Sequence, residues 1–202
     1  QNISKIDILI GTHPHSDHIG GMDAVINQFS VGEIILPKLS DEQTPTTKTY
    51  LDLLTAIADK GVKVRRATPG DTIEIGGGKL EILGPISQYT DLNNMSVVSR
   101  FVYQDASFWI AGDCSKEAEA DLVSQGKVTK TNVYKVSHHG SSTASSQKFL
   151  DQLQPDYCVF SLGADNSYGH PHKEVIKRLN KLDTTVYRTD ISGTVTAQTD
   201  GK

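Results

Sequence analysis

Short apolar segments and longer segments with helical spacing follow one another along the whole chain. Runs of about four to eight apolar and β-branched residues are typical of strands. They predict strands at 3–10, 33–36, 62–66, 72–75, 80–83, 97–103, 108–111, 133–136, 158–162, 185–188 and 193–199. Apolar residues spaced by three and four predict helices at 20–26, 49–60, 115–125, 145–153 and 173–182.

Glycines punctuate this pattern where a helix or hairpin has to end. Gly61 and Gly126 follow two of the predicted helices, as C-terminal glycines commonly do. The glycine run 76–78 lies between two predicted strands and is typical of a hairpin turn, since no helix follows it to cradle a phosphate. Strands that alternate with helices predict a layered α/β fold, and we interpret residues 1–202 as a single domain.

Composition narrows the class of protein only slightly. Hydrophobic residues make up 37% and charged residues 22%, as in ordinary soluble domains, and no apolar run is long enough to span a membrane. The formal net charge of -4 argues against a strongly basic nucleic-acid binder, although a metal site would add positive charge that this count omits. Cys114 and Cys158 are too few for a disulfide framework, and we expect two free, buried thiols, with a disulfide bridge or a metal contact as the alternatives.

Histidine is the residue type with the most informative distribution. All seven histidines fall in three short clusters, and each cluster follows a predicted strand: His13, His15 and His18; His138 and His139; His170 and His172. Loops at strand ends are held in place by a rigid scaffold, and histidines scattered through a core would not be grouped in this way. The distribution therefore predicts a functional site.

The first cluster has the chemistry of a metal site. Imidazole and carboxylate groups are ligands of zinc, manganese and iron(II). His13 and His15, two residues apart, can point the same way and hold one ion, while Asp17 and His18 can reach a second. The second candidate element is Asp113, which follows an apolar strand and Gly112.

The pattern His-x-His-x-Asp-His at 13–18 resembles the hallmark of the metallo-β-lactamase superfamily. This resemblance implies a four-layer αβ/βα sandwich with two divalent metal ions, zinc or manganese or iron, at one edge. It implies that His13 and His15 hold one ion, that Asp17 and His18 hold the other, and that Asp113 bridges them. A late histidine ligand is either His138 or His139, and spacing leaves that choice open.

Four segments in order narrow the resemblance: 92–98, 112–113, 138–141 and 168–172. Together they resemble the metallo-β-lactamase-like domain of ComEC-type competence proteins and its free-standing relatives. That resemblance implies a domain outside the cytoplasmic membrane, with a cytoplasmic location left open, and a phosphodiester substrate such as single-stranded DNA.

Two features depart from the superfamily pattern. No histidine lies between His18 and Asp113, so one ion has fewer protein ligands or receives help from Asn93, Asn94 or Ser96. Relatives also carry further strands ahead of the histidine motif, and we expect this sequence to be incomplete at its N-terminus.

The expected activity is hydrolysis of a phosphodiester by hydroxide held on the two ions. Asp17 would orient the nucleophile, and His170 and His172 would bind a phosphate oxygen or protonate the leaving group. The alternative for His170 and His172 is a loop-bracing role around Pro171. Alternatives for the whole chain are a hydrolase of small or cell-envelope phosphoesters, such as phosphorylcholine esters, and a non-catalytic domain that binds DNA or a partner.

Overall fold

A computed structural model describes residues 3–202. The strands are β1 (Lys5–Ile10), β2 (Ser30–Leu36), β3 (Lys63–Arg66), β4 (Thr72–Ile75), β5 (Gly78–Gly84), β6 (Val98–Tyr103), β7 (Ala106–Ile110), β8 (Val133–Lys135), β9 (Tyr157–Phe160) and β10 (Thr185–Arg188). The helices are α1 (Ser16–Ile19), α2 (Met22–Gln28), α3 (Lys48–Lys60), α4 (Lys116–Ser124), α5 (Gln147–Leu153), α6 (Lys173–Leu179) and α7 (Thr189–Ser192). Within this described part of the chain, no helix has the length and apolar character needed to cross a bilayer.

The strands form two sheets. The smaller is parallel, in the order β1-β2-β3, and the larger has the order β10-β9-β8-β7-β6-β5-β4. In the larger sheet, β4 to β7 pair antiparallel and β7 to β10 pair parallel. Parallel neighbours need a crossover between them, and α3, α4, α5 and α6 lie in those connections.

Three apolar clusters show how the layers are stacked. Ile34 and Leu36 pack under helices α2 and α3, whereas Ile35, which points to the other face of β2, packs with Leu80 and Ile82 of the larger sheet. A third cluster joins the far face of the larger sheet to α4, α5 and α6. The order is therefore helices, sheet, sheet, helices, which confirms the predicted four-layer αβ/βα sandwich.

Most predicted elements are present with shifted ends, and one prediction was wrong. The segment 193–199 is not a strand, because no strand of residues 3–202 pairs with it and β-type residues form a ladder only against a partner. The short helix α7 precedes it and was not predicted. Helix α5 begins at Gln147 instead of residue 145, since Ser145 has a φ of 53°, outside helical geometry.

The topology brings the predicted histidine loops together. Strands β7, β8 and β9 are parallel, so the loops that leave their carboxyl ends share one edge of the larger sheet. The loop that leaves β1 reaches the same edge, because the Val97 N–H donates a hydrogen bond to the Thr12 carbonyl over 2.7 Å, just before β6 begins. All three clusters therefore meet at one place.

Candidate metal centre

The first loop turns sharply after β1 and carries four polar side chains into the site. Helix α1 begins directly after His15 and gives Asp17 and His18 a helical turn. Thr12 Oγ1 lies 3.2 Å from His13 Nδ1 and 3.3 Å from His18 Nδ1, so one hydroxyl contacts both rings from behind. His13 is fully buried, which fixes its ring in one orientation.

The second loop positions Asp113 through its backbone. Gly112 has a φ of 51°, and a Cβ there would lie 2.7 Å from Thr12 Oγ1 and 2.8 Å from Ser96 Oγ. Only glycine fits this close approach to the first loop. The Asp113 N–H donates to Ser96 Oγ over 3.0 Å, and Ser96 Oγ also lies 3.3 Å from His13 Nδ1.

The third loop holds two consecutive residues in left-handed backbone geometry. His138 has a φ of 49° and His139 a φ of 51°. Such conformations are uncommon outside glycine, cost on the order of 1–3 kcal/mol each and concentrate at functional sites. The His138 N–H donates to the Gly112 carbonyl over 3.1 Å, which fastens this loop to the one that carries Asp113.

One oxygen of Asp113 faces the first of two ligand groups. Its Oδ1 lies 3.1 Å from His18 Nε2 and 3.6 Å from His139 Nε2. Asp17 Oδ2 lies 3.6 Å from both of these nitrogens. The ligand atoms of Asp17, His18, Asp113 and His139 all lie within 4.8 Å of one another, and we call these four residues the His18 group.

The other oxygen of Asp113 faces a second group. Its Oδ2 lies 3.8 Å from His13 Nε2 and 3.6 Å from His138 Nε2. His15 Nδ1 lies 3.1 Å from His13 Nε2. We call His13, His15, Asp113 and His138 the His13 group. The geometry thus distinguishes the adjacent histidines that the sequence left open, since His138 faces one oxygen of Asp113 and His139 the other.

In every histidine whose Nε2 faces Asp113, the other ring nitrogen, Nδ1, lies close to an oxygen atom. The pairs are His13 Nδ1 with Thr12 and Ser96 hydroxyls, His18 Nδ1 with the Thr12 hydroxyl, His138 Nδ1 with Thr143 Oγ1 at 3.3 Å, and His139 Nδ1 with the Ser161 carbonyl at 2.7 Å. The Ser161 carbonyl can only accept, so His139 Nδ1 donates to it, while His139 Nε2 lies 3.2 Å from His18 Nε2. This is the outer arrangement that metal-binding histidines require.

The electrostatics of the centre also suit a cation. Burial, followed by the neighbouring His18, lowers the pKa of His13 to about 3, so its ring is neutral at pH 7. Burial raises the pKa of Asp113, but the imidazoles of His18, His138 and His13 lower it by more, and the carboxyl is ionised. Within residues 3–202, Asp113 Oδ1 is buried without a properly oriented hydrogen bond. An ionised carboxylate surrounded by imidazole rings is a donor set that fits divalent ions.

His170 and His172 have different surroundings. The His170 ring lines the cleft next to the centre, with its centroid 5.9 Å from that of His138. His172 Nδ1 accepts from the Ser142 N–H over 2.8 Å, and His172 Nε2 lies 3.2 Å from the Tyr168 carbonyl, to which it donates. Both ring nitrogens of His172 are therefore used by the backbone, which favours the bracing role for this residue.

The asparagine and serine residues between the motifs also differ in what they contact. Ser96 contacts a histidine of the centre, as described above. Asn94 instead uses its Oδ1 to accept from the Ser115 N–H at 2.9 Å and its Nδ2 to donate to Glu117 at 2.9 Å, so it braces the loop after β7. Asn93 lines the cleft.

Sequence reasoning missed a buried carboxylate behind the third loop. Glu119 of α4 accepts hydrogen bonds from the backbone N–H groups of Ser145 and Ser146. Arg178 donates to the Ala144 carbonyl over 2.8 Å in the same loop, which also carries Thr143, the neighbour of His138. The available signal was spacing, because Glu119 lies three and four positions before Leu122 and Val123 and so shares the apolar face of α4.

Comparisons with known proteins show the family of the chain. The family model described as the metallo-beta-lactamase superfamily matches residues 1–163. The chain is 31% identical over 196 residues to ComE operon protein 3 of Bacillus subtilis (strain 168), covering 96% of this chain and 25% of that protein. It is also 31% identical over 193 residues to competence protein ComA of Neisseria gonorrhoeae, covering 95% of this chain and 25% of that protein. The chain thus spans about a quarter of the length of these relatives.

Solved structures share the fold at low sequence identity. CmlA, a diiron beta-hydroxylase from Streptomyces venezuelae, matches with a TM-score of 0.61 and 16% identity, over 92% of this chain and 44% of that one. Igni18, a metallo hydrolase from Ignicoccus hospitalis, matches with a TM-score of 0.55 and 15% identity, over 90% of this chain and 75% of that one. The chain belongs to the metallo-β-lactamase superfamily.

Proposed function

We propose that this chain is a two-metal phosphodiesterase that cleaves single-stranded DNA. The observation that carries the proposal is the placement of Asp113, whose two carboxylate oxygens each face a separate group of histidines. The His13 group and the His18 group would each hold one divalent ion and share this carboxylate. Zinc, manganese and iron(II) all suit imidazole and carboxylate donors. When bound, two such ions acidify water and neutralise the negative charge that develops on a phosphate.

The side chains of the cleft have distinct tasks in this proposal. Asp17 is 62% exposed at its side chain and lies at the cleft surface, where it orients the attacking water and accepts a hydrogen bond from it. His170 lines the same cleft beside His138 and would donate a hydrogen bond to a phosphate oxygen. His172 positions the loop of His170 through its two backbone hydrogen bonds.

The size of the cleft supports an extended substrate. Its volume is about 1270 Å³, which is above the roughly 300–1,000 Å³ of typical small-molecule pockets. Two of the relatives described above have names that refer to competence or to a ComE operon. An open cleft next to a two-ion centre, in a relative of such proteins, favours a nucleic-acid strand over a small ester.

The test is cleavage by the metal-loaded protein. We expect Mn²⁺- or Zn²⁺-loaded protein to cleave single-stranded DNA, and His15→Ala and Asp113→Asn to abolish cleavage. Asp41→Asn, which removes an exposed carboxylate outside the cleft, is the matched control and should retain full activity. Cleavage of p-nitrophenyl phosphorylcholine but not of DNA would replace the nuclease with a small-ester hydrolase. An Asp113→Asn variant that cleaves these substrates as well as the parent protein does would refute the metal centre.

A further inference from the structure

Tyr168 is a solvent-exposed aromatic side chain in the lining of the cleft. It is 76% exposed, compared with 46% for Tyr157 and 43% for Tyr187. A single exposed apolar side chain is ordinary on a protein surface. Tyr168 differs because it lines the cleft that contains the metal centre.

The Tyr168 ring belongs to a row of rings that leads to the metal centre. It stacks on His170 with centroids 5.7 Å apart and an interplanar angle of 23°. The His170 ring lies 5.9 Å from that of His138, which faces Asp113. Tyr168 is therefore two ring-to-ring steps from His138, and a planar group stacked on Tyr168 would be three steps from it.

The loop that carries Tyr168 is held in one shape by its own polar side chains. Asn166 donates to the His170 carbonyl over 2.8 Å and to the Gly163 carbonyl over 3.0 Å, and it accepts from the His170 N–H over 2.9 Å. His172 donates to the Tyr168 carbonyl itself. A ring presented on a fixed loop loses little conformational entropy when a ligand stacks on it.

The remaining lining of the cleft indicates which ligand would use this ring. Over residues 3–202, the cleft has no lysine or arginine and no aromatic ring other than Tyr168 and the histidines. Quaternary ammonium groups are recognised by cages of several aromatic rings, which one tyrosine does not make. A strand held by its phosphates needs a basic track. Stacking of a flat base on one ring needs neither, because every base has a π-face.

We propose that Tyr168 is a stacking platform for a nucleobase of a single-stranded nucleic acid whose neighbouring phosphate lies at the metal centre. This inference rests on the proposed function and adds a binding site to it. In this proposal the protein binds one or two nucleotides mainly by stacking, and the charge of the phosphates contributes little to the affinity.

Binding to a strand that resists cleavage tests the platform apart from catalysis. The probe is a fluorescent phosphorothioate oligothymidylate, titrated with metal-loaded protein and followed by anisotropy. Stacking contributes about 1–3 kcal/mol per base, so Tyr168→Ala should weaken binding roughly 5- to 150-fold. Tyr168→Phe keeps the ring and should bind within about twofold of the parent protein, and Tyr187→Ala, outside the cleft, should bind as the parent does.

An abasic version of the probe shows whether the base is what the ring contacts. The parent protein should bind it as weakly as Tyr168→Ala binds the intact probe, and the substitution should have no further effect. Equal binding of the intact probe by Tyr168→Ala and the parent would overturn the platform, as would an equal loss on both probes. Competition by phosphorylcholine, which has no aromatic ring, that disappears in Tyr168→Ala would assign the ring to a cation instead.

The outcomes separate the platform from the proposed function. Cleavage that depends on Asp113, together with no effect of Tyr168→Ala on binding, leaves the phosphodiesterase intact and removes the platform. A clear Tyr168 effect on the intact probe, without cleavage of any ester, keeps the platform in a domain that binds nucleic acid without turnover.

Discussion

The backbone N–H of Asp113 donates a hydrogen bond to the hydroxyl of Ser96 over 3.0 Å. The same hydroxyl lies 3.3 Å from His13 Nδ1, so one buried serine joins the shared carboxylate to the first histidine. The sequence has no histidine between His18 and Asp113, and Ser96 lies in that interval. We infer that Ser96 supports His13 from behind, while His138 completes the ligand group from the late motif.

Ser96→Ala should weaken metal binding at the His13 group. The substitution removes the acceptor of the Asp113 N–H and a hydroxyl behind His13, and loss of such outer contacts typically costs about 10–100-fold in metal affinity. Competition with a chromogenic chelator measures this affinity. Ser99→Ala, at another buried serine but on β6 away from the histidines, is the control and should bind metal normally. Equal affinities for Ser96→Ala and the parent would show that this contact does not support the centre.

His138→Ala and His139→Ala should each remove one ion and leave the other. The reason is that His138 faces Asp113 Oδ2 and His139 faces Oδ1, so each belongs to a different ligand group. Metal analysis after gel filtration in a limiting chelator should give about one ion per chain for each variant. Two ions in either variant would show that the substituted histidine is not a ligand. Only one of the two adjacent histidines would then bind metal, as expected from the sequence.

Gly112→Ala should damage the centre far more than Gly126→Ala. Both positions have positive φ, 51° at Gly112 and 64° at Gly126, so both variants carry backbone strain of about 1–3 kcal/mol. Only at Gly112 does the added methyl meet neighbours, Thr12 and Ser96, whereas a Cβ at Gly126 meets nothing within 4 Å. Urea unfolding and metal affinity, measured side by side, test this. Similar metal affinity in the two variants would contradict the close contact of the two loops.

Glu119→Gln should change how stability depends on pH. Burial raises the pKa of Glu119 above its ordinary value of 4.5, and the N–H groups of Ser146 and Ser145 oppose that rise. Above pH 4.5 the folded protein therefore keeps a proton that the unfolded chain has released. Stability from this group consequently declines as pH rises through the raised pKa.

The measurement is urea unfolding with EDTA present, from pH 4.5 upward. The free energy of unfolding of the parent minus that of Glu119→Gln should fall across this window, because the glutamine cannot titrate. Glu174→Gln, at an exposed glutamate on helix α6, serves as the control. Parallel pH curves for the parent and Glu119→Gln would show that Glu119 does not titrate there.

The candidate ligands of the metal centre could be predicted from the sequence better than the contacts and backbone angles that hold them in place. Histidines after strands identify a site because parallel strand ends must share a sheet edge, and His13, His18, His138 and Asp113 do converge. Periodicity could not separate His138 from His139, because their facing depends on left-handed backbone angles that no local pattern specifies.

Contacts between segments that are far apart in the chain also could not be predicted from the sequence. Glu119 meets Ser145 and Ser146 from 26 and 27 positions away, a pairing that depends on how α4 packs. The predicted strand at 193–199 failed for a related reason, since β-propensity cannot reveal whether a partner strand is within reach.

The number of divalent ions bound per chain is the most direct test of the shared carboxylate. Native mass spectrometry of Mn²⁺- or Zn²⁺-loaded protein should show two ions in the parent and none in Asp113→Asn at the same free-metal concentration, because both ligand groups include Asp113. Asp41→Asn should keep both. A parent with a single ion, or an Asp113→Asn variant that retains two, would contradict a two-ion centre built on Asp113.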